Sequence, residues 1–237
     1  MLHDPADAIE LTLDYGMSTV FELDVDTALA LVPKRLCPVE VRPNVALASL
    51  IFFRFAPDGL HGTFGALPAY GELVFGVHVA PVLAWTPPKF AVHVVQIGCT
   101  HPRASEFLSQ VHRMPAHPSV VRVEVDEALG QVVASDAGGP IATMRSLRAA
   151  PICVPTTLTA HVFSESEGGV WGYPEIVEGR MCRHQDRGQA VTLHPHPFFK
   201  GARLPPSPPA WMQTVGLPGE TLRQLAWLPV EVSARAS

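Results

Sequence analysis

AYGELVFGVHV, residues 69–79, alternates its side chains with a period of two, the signature of a β-strand. On such a strand Glu72 and His78 share one face, while Leu73, Phe75, Val77 and Val79 share the other. The apolar face belongs against a core. The polar face admits two readings: Glu72 and His78 face water, which parity alone favours, or they line a polar pocket inside a barrel.

The same period recurs on both sides of this stretch. STVFEL (18–23), VALASLIFFRF (45–55) and KFAVHVVQI (89–97) read as strands. So do SVVRVEV (119–125), GQVVAS (130–135), TTLTAHVFSE (156–165), QAVTL (189–193) and LAWLPVEVS (225–233). AGGP (137–140) and LPPSPPA (204–210) read as breaks between them. Two helices are predicted: TALALV, capped by Asp24 or Asp26 and ending near Pro33, and RASEFLSQV, capped by Thr100 or His101 with Pro102 in its first turn. Many strands and few helices predict a mainly β (α+β) fold, a curved antiparallel sheet rolled towards a barrel to hide its edges. A single domain spanning 1–237 is expected.

Apolar residues make up 47% of the chain and charged ones 16%, a balance that supports a sizeable core. A net charge of −5 with no basic run leaves nucleic acid without an electrostatic footprint. The longest apolar run, Val45 to Phe53, is far short of the ~20 residues a membrane helix needs. MLHDPADAIE has no charged-then-apolar leader, so a soluble, cytoplasmic protein without membrane partners is expected. Cys37, Cys99, Cys153 and Cys182 form no CxxC pair and are expected to be reduced and mostly structural.

The order of segments resembles the acetoacetate decarboxylase-like family. VFELDVDTALALVPKRL (20–36) matches a strand followed by a short helix ending in Val-Pro, and Tyr70-x-Glu72 matches the family's Tyr-x-Glu strand. HRMPAHPSVVRVEV (112–125) stands where the family carries a Gly-Arg-Glu…Trp-Gly-x-Pro-Lys motif, and LAWLPVEVS fits the terminal strand. The resemblance implies a cone-like barrel whose lumen holds the active site, with Glu72 as its acidic residue and Tyr70 beside it. It also places a second family glutamate near Ala48 or Ser49.

The family's Schiff-base lysine does not carry over. With Pro118 at the motif proline, Ser119 takes the lysine position and Val120 the next, while His112 and Arg113 occupy the Arg-Glu part. Ser119 also has the parity of Val121, Val123 and Val125, which points it towards the interior. Decarboxylation of a β-keto acid by this route needs a deprotonated primary amine to form an iminium, as acetoacetate decarboxylase itself illustrates. Serine cannot form one, and arginine is too basic. The chain has three lysines: Lys34 at the helix end, Lys200 in the turn HPFFKG, and Lys89 at the start of a strand. Lys89 is the one a relocated amine would use.

Other constellations are weaker. His194 and His196, with His184 and Cys182 nearby, would hold a metal only if further ligands converged, and no metal or cofactor is expected. No nucleophile elbow, phosphate loop or dinucleotide fingerprint is present. The sequence therefore points to a lysine-independent lyase or isomerase/cyclase acting on a small carbonyl, β-keto or polyketide-like compound of secondary metabolism. Glu72, His117 and Arg113 are the expected catalytic groups, and Tyr70, Ser119, His112 and His78 the substrate-binding ones. A non-catalytic binding barrel is the alternative, and a Schiff-base decarboxylase using Lys89 a third reading. Whether copies of the chain form a homo-oligomer stays open.

Overall fold

The computed structural model describes residues 8–57, 66–81, 91–146, 152–184, 190–216 and 219–232. In chain order its elements begin with β1 (Ile9–Asp24), α1 (Val25–Leu31), β2 (Leu36–Pro38), β3 (Glu40–Arg42), β4 (Val45–Phe55), β5 (Tyr70–Pro81) and β6 (Ala91–Cys99). Next come α2 (Pro102–Gln110), β7 (Arg122–Asp126), β8 (Gln131–Asp136), β9 (Gly139–Arg145), β10 (Ile152–Ser166) and β11 (Gly169–His184). β12 (Val191–Leu193), β13 (Ala210–Gly216), β14 (Leu222–Ala226) and β15 (Val230–Glu231) complete them.

β1 pairs with β4, β4 with β5, β5 with β6, β6 with β10, and β10 with β11. The gap between β11 and β1 is filled by two short strands laid end to end. β14 joins Ile9–Leu13 to Glu175–Glu178, and β13 joins Met17–Phe21 to Met181–His184. The result is a closed seven-stranded barrel, the closure that removes exposed edges. One contact departs from the antiparallel expectation: β6 and β10 run parallel at Ala91–His93. The chain leaves β6 through α2 and a second sheet before it returns, and a long crossover of this kind permits parallel pairing.

The second sheet, β12-β9-β8-β7, covers the outer face of the barrel. Leu73, Phe75 and Val77 of β5 pack there against Val132, Ala134, Ile141 and Met144. Phe75 is fully buried and meets Phe199 edge-on at 5.2 Å, so truncation to alanine costs about 3–5 kcal/mol. The opposite face of β5 points into the lumen, where Val74 joins Val94, Ile97, Leu108 and Val177. Both faces of the strand are buried, and the reading of Glu72 and His78 as water-facing is corrected. Bulges adjust which side chains point inward. On β6 the register shifts opposite Phe75/Gly76, which lets both Val94 and Ile97, three residues apart, reach the lumen. On β1 the shift falls between Leu13 and Tyr15. Arg54 grips Asp14 there at 2.6 Å and reaches Glu127, beside β7, at 2.6 Å.

The caps match the expected chemistry: Asp24 accepts from the Thr27 N–H at 3.1 Å, and His101 from the Arg103 N–H at 3.2 Å. Other expectations are corrected. AGGP is a turn that already starts β9, LAWLPVEVS divides into β14 and β15, and β11 and β13 run through segments not predicted as strands. The reduced state holds for Cys37 and Cys99 but not for Cys153 and Cys182, which form a disulfide. They sit directly opposite each other on β10 and β11 with Cα atoms 4.0 Å apart, a proximity that a separation of 29 residues conceals. Among the described residues no helix is long and apolar enough to cross a membrane.

Candidate active site

The lumen contains a cavity of about 810 Å³, within the range of small-molecule sites. Its walls are mainly apolar, with Ile51, Phe53, Val74, Val94 and Val177 among them. Phe107 and Leu108 of α2 close one end. Into this lining project two carboxyls, Glu72 from β5 and Glu175 from β11, together with Tyr173, His112 and Gln224. Tyr70, two residues before Glu72, is buried in the same cluster and stacks on Phe55 with centroids 4.7 Å apart.

Burial controls the charge state of these groups. It pushes Glu72 up to about 8, an effect opposed by the approach of the Tyr70 hydroxyl and reinforced by repulsion from Glu175. The Tyr70 hydroxyl comes close to that carboxyl without reaching normal hydrogen-bond geometry. Glu175, half-buried on the cavity wall, is raised by desolvation to about 7, opposed by a hydrogen bond from Gln224. His112, 2% exposed, is lowered to about 4 by burial and is a neutral imidazole. Its ring lies 5.3 Å from that of Phe107 and 5.1 Å from that of Tyr173. Both tyrosines are held well above their ordinary value, first by burial. Among the described residues the Tyr70 hydroxyl, His112 Nδ1 and Gln224 Oε1 are buried without a hydrogen-bond partner. Buried polar atoms rarely go unpaired, and these can be satisfied by polar atoms of a ligand.

Of the residues singled out from sequence, Glu72, His112 and Tyr70 come together here. The others stand apart. His112 and Met114 both face the cavity, so Arg113 between them, held at φ 54°, turns outward. There it pairs with Glu167 at 3.1 Å and lies over Trp171 at 5.3 Å. The segment that follows runs along the edge of β6: the Ile97 N–H donates to the Pro115 carbonyl, and the His117 N–H to the Ile97 carbonyl. Ser119 is half-buried outside the cavity lining, and the valine face it shares points between the two sheets. His78 is buried in a 2.6 Å hydrogen bond with Ser49, away from the described lining. Lys34 and Lys200 do not line the cavity, and Lys89 lies outside the described residues.

His117 joins His196 around Asp136, with Nε2–O distances of 2.7 and 3.0 Å. Three ligand-type side chains therefore do converge, though His194 is not one of them. His196 Nδ1 accepts the Phe198 N–H at 3.1 Å. This network assigns the proton of a neutral His196 to Nε2, where it is donated to Asp136. As it stands the group is a hydrogen-bonded clasp joining the 112–119 loop, β8 and the Pro197–Phe199 turn.

Glu175, Tyr173 and Gln224 were missed from sequence. A signal for the first two exists: YGELV at 70–74 and YPEIV at 173–177 share the pattern Tyr-x-Glu-aliphatic-Val. The two strands that carry this pattern supply both carboxyls.

No protein-family profile matches the sequence, and no curated protein matches it. Solved structures do match. The enduracididine biosynthesis enzyme MppR complexed with pyruvate is 14% identical, with a TM-score of 0.60 over 98% of this chain and 92% of that one. Acetoacetate decarboxylase from Legionella pneumophila subsp. pneumophila str. Philadelphia 1 is 11% identical, with a TM-score of 0.61 over 97% and 89%. An acetoacetate decarboxylase-like enzyme from Sphingomonas wittichii RW1 is 11% identical, with a TM-score of 0.54 over 96% and 93%. The chain has the acetoacetate decarboxylase-like fold.

Proposed function

We propose that this barrel is an enzyme that shuttles protons on a carbonyl compound without using an amine. The observation that carries the reading is the pair of carboxyls on the cavity wall, buried Glu72 and half-buried Glu175, raised to about 8 and about 7 beside a neutral His112. Two carboxyls raised in this way leave one protonated and the other able to ionise near neutrality, as an acid–base couple needs. The protonated member donates to the substrate carbonyl oxygen while the ionised one takes the proton from the adjacent carbon. The C–H electron pair becomes the enol double bond, and the pair exchanges roles on the way back. His112, on the cavity wall, would hydrogen-bond the oxygen through Nδ1 as charge develops, with Tyr70 behind Glu72. Enolisation of this kind starts β-elimination of water and aldol-type cyclisation, and the same enol is what retro-aldol cleavage releases. The neighbours complexed with pyruvate, and with the condensation product of pyruvate and imidazole 4-carboxaldehyde, support a carbonyl ligand by analogy of fold.

The test is deuterium exchange from D₂O into a panel of ketones and keto acids, read by mass spectrometry. Glu72→Gln and Glu175→Gln are each expected to lower the exchange rate by about 10²–10⁴. Exchange within twofold of wild type in both variants sinks the reading. Ligand binding without exchange in wild type would leave a binding barrel instead. Borohydride trapping of a keto acid on Lys89 would put amine chemistry in its place.

A further inference from the structure

The cavity is far longer than a small keto acid requires. Its β11 lining falls on Tyr173, Glu175, Val177, Met181 and Arg183. At ~3.3 Å per residue, the eight steps from Glu175 to Arg183 span roughly 26 Å along the strand.

The two ends differ in chemistry. Glu72, His112 and Tyr173 are buried at the α2 end, whereas Arg183, eight positions along β11 from Glu175, is exposed and marks the mouth. Thr214 and Ser18, cross-strand neighbours on β13 and β1, add hydroxyls near the mouth. Arg183 is the only lysine or arginine in the described lining. An anion at the closed end would sit desolvated beside two carboxyls, a costly position. At the mouth it meets the Arg183 guanidinium and the hydroxyls of Thr214, directly opposite on β13, and Ser18 while keeping contact with water.

On the basis of the proposed proton-transfer site, we infer that the substrate is an elongated, mainly apolar chain that enters tail first. Its reacting carbonyl lies near the buried tail, and an anionic group at the other end is held by Arg183. This places the carbonyl far from the acid group, unlike in a short β-keto acid.

Binding of 5-oxohexanoate, 11-oxododecanoate and 15-oxohexadecanoate, measured by calorimetry, tests the inference without depending on turnover. Affinity is expected to rise at least tenfold from the shortest probe to the better of the two longer ones. Arg183→Glu is expected to weaken that longer acid about tenfold while leaving its methyl ester unchanged. Affinity that is flat with chain length overturns the inference, as does an Arg183→Glu variant that binds acid and ester alike as wild type does. Glu72→Gln separates this idea from the proposed reaction, because it should abolish exchange and keep the length dependence. Length dependence without any exchange in wild type defeats only the catalytic reading, whereas exchange without length dependence defeats only this inference.

Discussion

Glu72→Gln should change how stability depends on pH before any substrate is known. In the unfolded chain Glu72 ionises near the ordinary value of about 4.3. In the folded barrel, burial keeps its proton on up to about 8. Between those values this group binds more protons in the folded state than in the unfolded one, so its contribution to stability falls as pH rises. At 1.36 kcal/mol for each pH unit in that window, the ceiling of the loss is about 5 kcal/mol. Glu175, raised to about 7, contributes with the same sign. The two carboxyls repel each other when both are charged, so their effects do not add.

Glutamine keeps the shape of the side chain and has no proton to lose. Wild type and Glu72→Gln should therefore unfold at similar urea concentrations near pH 5, and the variant should pull ahead by several kcal/mol by about pH 8. Glu72→Gln/Glu175→Gln should in turn gain on Glu72→Gln as pH rises, while the opposite slope that the buried histidines give below about pH 6.5 is common to all three proteins. A stabilised variant that has lost its chemistry is the usual mark of a functional carboxyl kept at the expense of stability. Urea midpoints for wild type and Glu72→Gln that run parallel across this pH range would refute the argument, since no buried proton would then separate them.

Two further predictions concern the ties around the barrel. Replacing Cys153 and Cys182 together with serine removes a link across 29 residues. Its loop entropy is worth about 3.6 kcal/mol in the chain-entropy model, so the melting temperature should drop by roughly 7–14 °C. A drop of less than about 2 °C in calorimetry would mean that β10 and β11 are held in register without the bond. Asp136→Asn should be most damaging near neutrality. Burial opposes ionisation of Asp136, but hydrogen bonds from His117, Gly138 and His196 outweigh it and hold the carboxyl below its ordinary value. That stabilisation is fully present above the unfolded value of about 3.9 and is lost as pH falls through the lower folded one. The gap between wild type and variant in urea midpoints should therefore narrow below pH 4, and a gap that is constant with pH would rule out the charged clasp.

How much of this was legible in the sequence depends on whether a local pattern or a distant contact decided the outcome. The alternation in AYGELVFGVHV placed Glu72 and Val74 on one face and Leu73, Phe75 and Val77 on the other, and the barrel keeps that division. Parity could not say that a second sheet covers the apolar face, because β7, β8, β9 and β12 reach it from 45 to 120 residues further along the chain. β11 escaped detection because Gly172, Pro174 and Gly179 interrupt its alternation, and glycine and proline inside a run argue against a strand. The same interruptions hid Glu175, although Tyr173-x-Glu175 repeats the Tyr70-x-Glu72 pattern already singled out. The 112–119 loop shows the opposite case, in which residue types were informative and directions were not. His112, Arg113, His117 and Ser119 all carry suitable chemistry, but one residue at positive φ, Arg113, and the pairing of Ala116 with Ile97 decide where each side chain goes. Only His112 turns into the lumen. A polar loop at a motif position thus identifies a neighbourhood, and the register against β6 selects which of its members can meet a substrate.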